Sequence, residues 1–252
     1  MLRANVKLKL EPSVGIEKLF LPCDDEETLW EKLADFTAKE YGVTSILYAF
    51  THSKYTVTRT GIMPSLYIRH NHPEDYIASF PAGKLTLEDS IAAEMILQGH
   101  TAFIWSDYDE MELSAAGLER VAADRAMGMG VGVSFGFRFG SGIGGMCWAA
   151  RDASAADFRS MWQSSAWEME QLADLFDRHM RPAMIRNRIR LTPRERDVLS
   201  YSAGGMTAKQ IAEHLGLSPK TVANTLERAR HTLGAVSTME AVAKAIVYDL
   251  IG

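Results

Sequence analysis

Near the C-terminus, Lys220, Thr221, Asn224, Thr225 and Arg228 fall on one side of a helical pattern. Between them run Val222, Leu226, Ala229 and Leu233, at the spacing of a buried helical stripe. Side chains of this kind read duplex DNA. Asparagine can pair bidentately with adenine, and lysine or arginine with guanine or phosphate. Such a helix lies in the major groove with its N-terminal residues nearest the base edges.

Elements that would position this face are legible on either side of it. Thr192, Pro193 and Glu195 make a capping box with proline at the first helical position, and Gly204–Gly205 end that helix. Thr207 and Gln210 repeat the box, and Ile211, Ala212 and Leu215 give the apolar stripe. Gly216 supplies the turn, and Ser218 with Pro219 starts the reading helix. A last helix, from about Thr238 to Ile251, is expected to bury Ala241, Val242, Ala245, Ile246 and Leu250. Two helices joined by a short glycine-containing turn form a helix-turn-helix. Thr207 and Lys209, at the start of the first helix of the pair, suit the phosphate backbone. The expected DNA-binding set is Thr207, Lys209, Ser218, Lys220, Thr221, Asn224, Thr225 and Arg228.

The segment from Leu191 to Gly252 resembles the DNA-binding domain of the LuxR/FixJ superfamily. Glu195, Leu199 and Gly205 fall at that family's E-x3-L-x5-G spacing, and the SPKTV run at Ser218–Val222 matches as well. The resemblance implies dimers, with the last helix commonly pairing the DNA-binding domains. Met239, Val242, Ala243, Ile246, Val247 and Leu250 offer more apolar surface there than one intramolecular face needs.

Length and charge suit a regulator. At 252 residues the chain has room for two domains, and 47% hydrophobic with 23% charged residues is ordinary for a globular protein. The net charge is −5, but it is unevenly spread. From Arg181 onward there are 11 Lys and Arg against 6 Asp and Glu; before it there are 16 against 26. A basic module therefore follows an acidic one. No apolar run is long enough to span a bilayer, so no membrane partner and a cytoplasmic location are expected. Cys23 and Cys147 are too few for a disulfide framework or a zinc site, and no nucleophile elbow points to an enzyme. The HNHPED run at His70–Asp75 is expected to be a solvated turn rather than a metal site.

The first 180 residues alternate helical and strand patterns. Helix is expected over 24–41, 73–80, 86–98 and 113–127, and from Ser154 to about Met180, where Pro182 breaks the chain. Strand is expected at 43–50, 55–60, 102–105, 130–139 and 143–150, with SLYIRH ambiguous. The fold class is α+β: an α/β/α sandwich around an antiparallel sheet over 1–180, a basic linker over 181–190, and a four-helix DNA-binding domain over 191–252.

This first region loosely resembles the ligand domain of LuxR-type quorum-sensing regulators. The family's W-x3-Y-x8-D-P spacing maps onto Tyr76, Phe80, Asp89 and Ser90, a later tryptophan onto Trp105, and a glycine onto Gly132. Aspartate, tryptophan and glycine persist; the first tryptophan is Tyr76, the tyrosine Phe80 and the proline Ser90. The resemblance implies a pocket for an acyl-homoserine lactone or another small molecule, formed by Tyr76, Phe80, Asp89, Trp105, Gly132, Ser134 and Trp148, with no cofactor. Asp89 would accept from the ligand's amide. Tyr76 keeps a donor, whereas Phe80 cannot donate to an acyl carbonyl. The alternative is a ligand-independent regulator acting through a homodimer or a related partner chain. The expected target is an inverted-repeat operator, with RNA polymerase a partner if the protein activates. A phosphorylation-switched receiver domain fits poorly, because no lysine lies between Lys84 and Lys209.

Overall fold

A computed structural model describes residues 16, 18–21, 23, 25–52, 67–80, 91–140 and 142–251. Asp89 and Ser90, and the strand expected at 55–60, lie outside them. The described residues fall into two compact units. The first comprises residues up to Tyr48, 69–137 and 145–180; the second comprises 49–68, 138–144 and 181–252.

A five-stranded antiparallel sheet is formed by β1 (Ser45–Thr51), β2 (Tyr67–His70), β3 (Ala102–Ile104), β4 (Gly132–Phe139) and β5 (Gly142–Ala149), in the order β2-β1-β5-β4-β3. The two glycine-rich segments do form adjacent strands, and Gly140 takes the left-handed conformation at their turn (φ 57°). The SLYIRH ambiguity resolves as strand over Tyr67–His70. β3 pairs with β4 through Ala102↔Phe135, Phe103↔Ser134 and Ile104↔Val133.

Strand alternation gives each side of the sheet its own layer of helices. On one side lie helix α1 (Glu26–Tyr41) and the long helix Ala155–Arg188. Tyr48 meets Phe176 of the long helix edge-on and donates its hydroxyl to Asp177 at 2.6 Å. On the other side lie α2 (Glu74–Ala78), α3 (Ile91–Gln98), a 3-10 turn (Trp105–Glu110) and α4 (Ala115–Ala126). Tyr76, Phe80, Ile91, Met95, Trp105, Tyr108 and Val121 form a shared apolar cluster there.

Caps explain where the helices begin. Asp25 accepts from the Thr28 amide at 2.9 Å, and Gly42 closes α1 in the left-handed conformation (φ 64°). Ser154 caps the long helix through the Asp157 amide. That helix corrects the sequence expectation at its far end: it passes through Pro182 and stops at Arg188. Proline there removes one helical hydrogen bond and crowds the preceding turn, at about 3 kcal/mol. Burial of Met180, Ala183, Met184 and Ile185 on both sides of it offsets that cost. The basic residues Arg181, Arg186 and Arg188 therefore sit on helix rather than in an extended linker.

Four further helices complete the second unit: α6 (Pro193–Ala203), α7 (Ala208–Leu215), α8 (Pro219–Thr232) and α9 (Thr238–Val247), the long helix counting as α5. Val198, Ile211, Ala212 and Val222 make their core, with Leu215 and Leu226 packed against it. None of the described helices is long and apolar enough to cross a membrane.

Candidate ligand pocket and nucleic-acid interface

A small cavity, about 60 Å³, opens on the α2–α4 side of the sheet in the first unit. Tyr76 and Phe80 reach it from α2 and its C-terminal end, Trp105 and Tyr108 from the 3-10 turn, and Leu47, Ser134 and Cys147 from the strands. Arg120 and Asp124 close it from α4, and His72 from the loop before α2.

Trp105 is held on two sides. Its indole Nε1 donates to Ser134 Oγ at 2.9 Å, and Ser134 is fully buried. A Cβ built at Gly132 would stand 2.8 Å from the Trp105 ring and 2.3 Å from the Trp148 carbonyl oxygen. Glycine is required there so that the ring can lie flat on β4. Gly132 thus positions Trp105 and does not itself line the cavity. Ser134 Oγ is also 3.3 Å from Cys147 Sγ, and burial pushes that thiol up to about 11.

Trp148 overturns the expectation placed on it. It is fully buried, but on the opposite side of the sheet, stacked on Tyr41 and edge-on to Phe135. Its neighbour Cys147 faces the cavity instead. Side chains alternate along a strand, so a shift of one residue exchanges the two sides.

Arg120, Asp124, His72 and Tyr108 also line this wall, and none of them belongs to the pocket set expected from sequence. Tyr76 donates its hydroxyl to Asp124 Oδ1 at 3.0 Å. Arg120 donates Nε to the same oxygen at 2.7 Å and pairs with it through Nη2 as well. Its guanidinium lies 4.0 Å from the Phe80 ring centroid, and both its Nη atoms reach Ser79 Oγ at 3.3 Å. Burial raises the Asp124 carboxyl, against the lowering effect of Arg120 and Tyr76. His72 is not in a solvated turn: it is buried with Nδ1 2.9 Å from Ser45 Oγ, and burial takes its ring down to about 3, so it is neutral. Arg120 and Asp124, four apart on a helix, read in sequence as an ordinary surface pair; only the packing of α4 turns them inward.

In the second unit the helix-turn-helix is capped as its sequence requires. Thr192 and Glu195 form the first capping box (2.8 and 3.2 Å), and Thr207 and Gln210 the second (2.8 and 3.4 Å). Ser218 accepts from the Thr221 amide at 3.0 Å to start α8. The spaced trio Glu195, Leu199 and Gly205 is structural. Glu195 is a buried cap, Leu199 is core, and Gly205 adopts φ 85°. Thr207, Lys209, Ser218, Lys220, Thr221, Asn224 and Arg228 are all exposed. Thr225 is not: it is 1% exposed and donates its hydroxyl to the Thr221 carbonyl at 2.9 Å. It lies three residues after Val222, one helical step round on the inward side, so its place in the expected DNA-binding set is corrected. Arg228 Nε stands 3.9 Å from Glu195 Oε1.

Two features of α9 also differ from expectation. Ile246, expected in the buried set, is 53% exposed. Lys244 is 2% exposed instead, donating Nζ to the Leu233 and Gly234 carbonyls at 3.1 and 2.7 Å and pairing with Glu240 at 3.0 Å. A cation on the carbonyls that end α8 answers both their open acceptors and the helix dipole.

An α/β/α sandwich joined to a capped helix-turn-helix is the architecture of a two-domain DNA-binding regulator. Comparison with known proteins gives the family. Residues 25–180 match the autoinducer binding domain, and residues 190–245 match the bacterial regulatory proteins of the luxR family. The chain belongs to the LuxR family of quorum-sensing transcriptional regulators. It is 30% identical over 199 residues to RpaR of Rhodopseudomonas palustris, an HTH-type quorum sensing-dependent transcriptional regulator, covering 77% of this chain and 79% of that one. It is 24% identical over 241 residues to SolR, a transcriptional activator of Ralstonia nicotianae, covering 92% and 95%. The fold is similar to that of Escherichia coli SdiA, with TM-score 0.56 and 17% identity over 92% of this chain and 94% of SdiA.

Proposed function

We propose that this regulator binds an inverted-repeat operator as a dimer and that a small molecule held in the first module controls it. The cavity is the observation that carries this reading: Trp105, locked by Ser134 and Gly132, forms a rigid wall beside Tyr76, Phe80 and Tyr108. Asp89 is the further anchor that the family resemblance implies. The residues before Arg181 form the sensor and those from Leu191 the DNA-binding module. Lys220, Thr221, Asn224 and Arg228 enter the major groove; Thr207, Lys209 and Ser218 hold the backbone. Two such modules, related by a two-fold axis, read half-sites about one helical turn or a multiple of it apart.

The ligand stabilises the folded or dimeric form. Thermal unfolding with and without a panel of acyl-homoserine lactones tests this. A ligand at about 100 times its Kd adds about 2.7 kcal/mol, a rise of several degrees. No shift with any compound, with operator binding intact, favours the second reading: a ligand-independent regulator. A specific observation speaks for that reading too. The Tyr76 hydroxyl is already bound to Asp124, and the cavity is small.

A further inference from the structure

We propose that Glu227 is a base-reading residue: its carboxylate accepts from the exocyclic amine of a cytosine in each operator half-site, on the base pair next to the adenine that Asn224 reads. This rests on the reading of α8 as the helix that enters the major groove.

The helical repeat sets which side chains point away from the protein. At about 3.6 residues per turn, Lys220, Asn224, Glu227 and His231 of α8 fall within about 60° of one another. That stripe lies opposite the buried one of Val222, Ala229 and Leu233, and all four of its residues are exposed. Arg228, the next residue, lies about 100° further round the helix. There its Nε stands 3.9 Å from Glu195 Oε1, and its Nη2 donates to Thr225 Oγ1 at 3.4 Å. Glu227 is not tied back in this way: among the described residues its carboxylate has no hydrogen bond or ion pair.

A carboxylate on that stripe weakens binding to DNA unless it meets a donor. From Leu191 onward 7 Lys and Arg stand against 6 Asp and Glu, so the module has little positive charge to spare. Phosphates repel Glu227, and so do the N7 and O6 acceptors of guanine and the O4 of thymine. The bases offer two donors in the major groove, the N4 amine of cytosine and the N6 amine of adenine. Adenine sets its N7 acceptor beside that amine, against the second carboxylate oxygen, so cytosine is the favoured partner. Three residues span ~4.5 Å along the helix, and base pairs are ~3.4 Å apart. The cytosine therefore falls on the base pair neighbouring the adenine of Asn224.

Selection of binding sites from a random duplex library tests this with the full chain, as wild type, Glu227→Gln and Glu227→Ala, with and without a panel of acyl-homoserine lactones. The wild type is expected to enrich half-sites with a cytosine beside an adenine, and replacing that C·G pair should weaken its binding about tenfold. Glutamine pairs bidentately with adenine, so Glu227→Gln should exchange cytosine for adenine at this one position and keep the rest of the half-site. Glu227→Ala should lose the preference there alone. A side chain that only repels phosphate would, on removal, raise affinity for every sequence alike and leave the selected bases unchanged. If one variant does not fold, the other still reads the position. Unchanged base preference in the folded variants, or a wild-type half-site with no cytosine beside the adenine, overturns the assignment and leaves α8 as the reading helix. Enrichment of no sequence by the wild type under any of these conditions overturns both.

Discussion

Gly132→Ala is a one-carbon change whose cost can be worked from its surroundings. The added Cβ would lie 2.3 Å from the Trp148 carbonyl oxygen, where ordinary carbon–oxygen contacts begin near ~3.3 Å. Backbone must therefore open by about 1 Å, because a carbonyl within the β4–β5 pairing cannot rotate away. The same carbon meets the Trp105 ring at 2.8 Å, and Trp105 is fixed by its bond to the buried Ser134. Overpacking of this kind costs about 1–3 kcal/mol, and a lost indole hydrogen bond adds about 1 kcal/mol. Differential scanning calorimetry should show the first module's transition falling by roughly 4–16 °C. Trp105 fluorescence, isolated by replacing the other four tryptophans with phenylalanine, should shift as its ring leaves Ser134. A variant that melts with the wild type would refute the claim that this glycine exists to admit the Trp105 ring.

Four other outcomes follow from the same geometry. Lys244→Met leaves the Leu233 and Gly234 carbonyls without their donor and should cost the DNA-binding module about 1–3 kcal/mol, read by chemical denaturation; unchanged stability would remove Lys244 from the end of α8. Lys220→Ala and Arg228→Ala should each weaken operator binding, and where the contact is to phosphate the salt slope falls by about one; the same affinity and slope in both would contradict the placement of this helix. Thr225→Val, buried, should leave operator affinity within twofold in a mobility-shift assay, whereas Asn224→Ala should relax base preference more than it weakens non-specific binding. His72 has a folded pKa near 3 against 6.5 when unfolded, so the unfolded chain binds the extra proton and stability falls as pH drops through 6.5 towards 3. That is about 1.4 kcal/mol between pH 7.5 and 5.5, and His72→Gln should lose less stability over that interval in paired melts.

The DNA-binding module was legible in sequence because its rules are local. Thr192, Thr207 and Ser218 cap, Gly216 turns, and Val222, Ala229 and Leu233 repeat at helical spacing, all within a few residues of their partners. The errors there came from side chains near the edge of the apolar stripe. Thr225 turned inward and Ile246 outward, because the burying surface belongs to other helices. In the first module, local pattern gave most of the strands and helices and the residue types of the cavity wall. It did not settle side or depth. Trp148 and Cys147 exchanged places across the sheet because strand alternation is lost by a single-residue error in alignment. Pro182 stayed inside a helix because burial on both sides of it outweighed its local penalty. The Arg120–Asp124 pair has an unremarkable spacing, and nothing local distinguishes it from a solvated ion pair. Its meaning comes from the packing of Ala115–Ala126 against the sheet, which brings a half-buried charge pair to Tyr76, Phe80 and Ser79 from 40 or more residues away. Sequence alone determined where each helix of the reader starts and which family it joins; tertiary packing decided which groups face the cavity, because that depends on surfaces far apart in the chain.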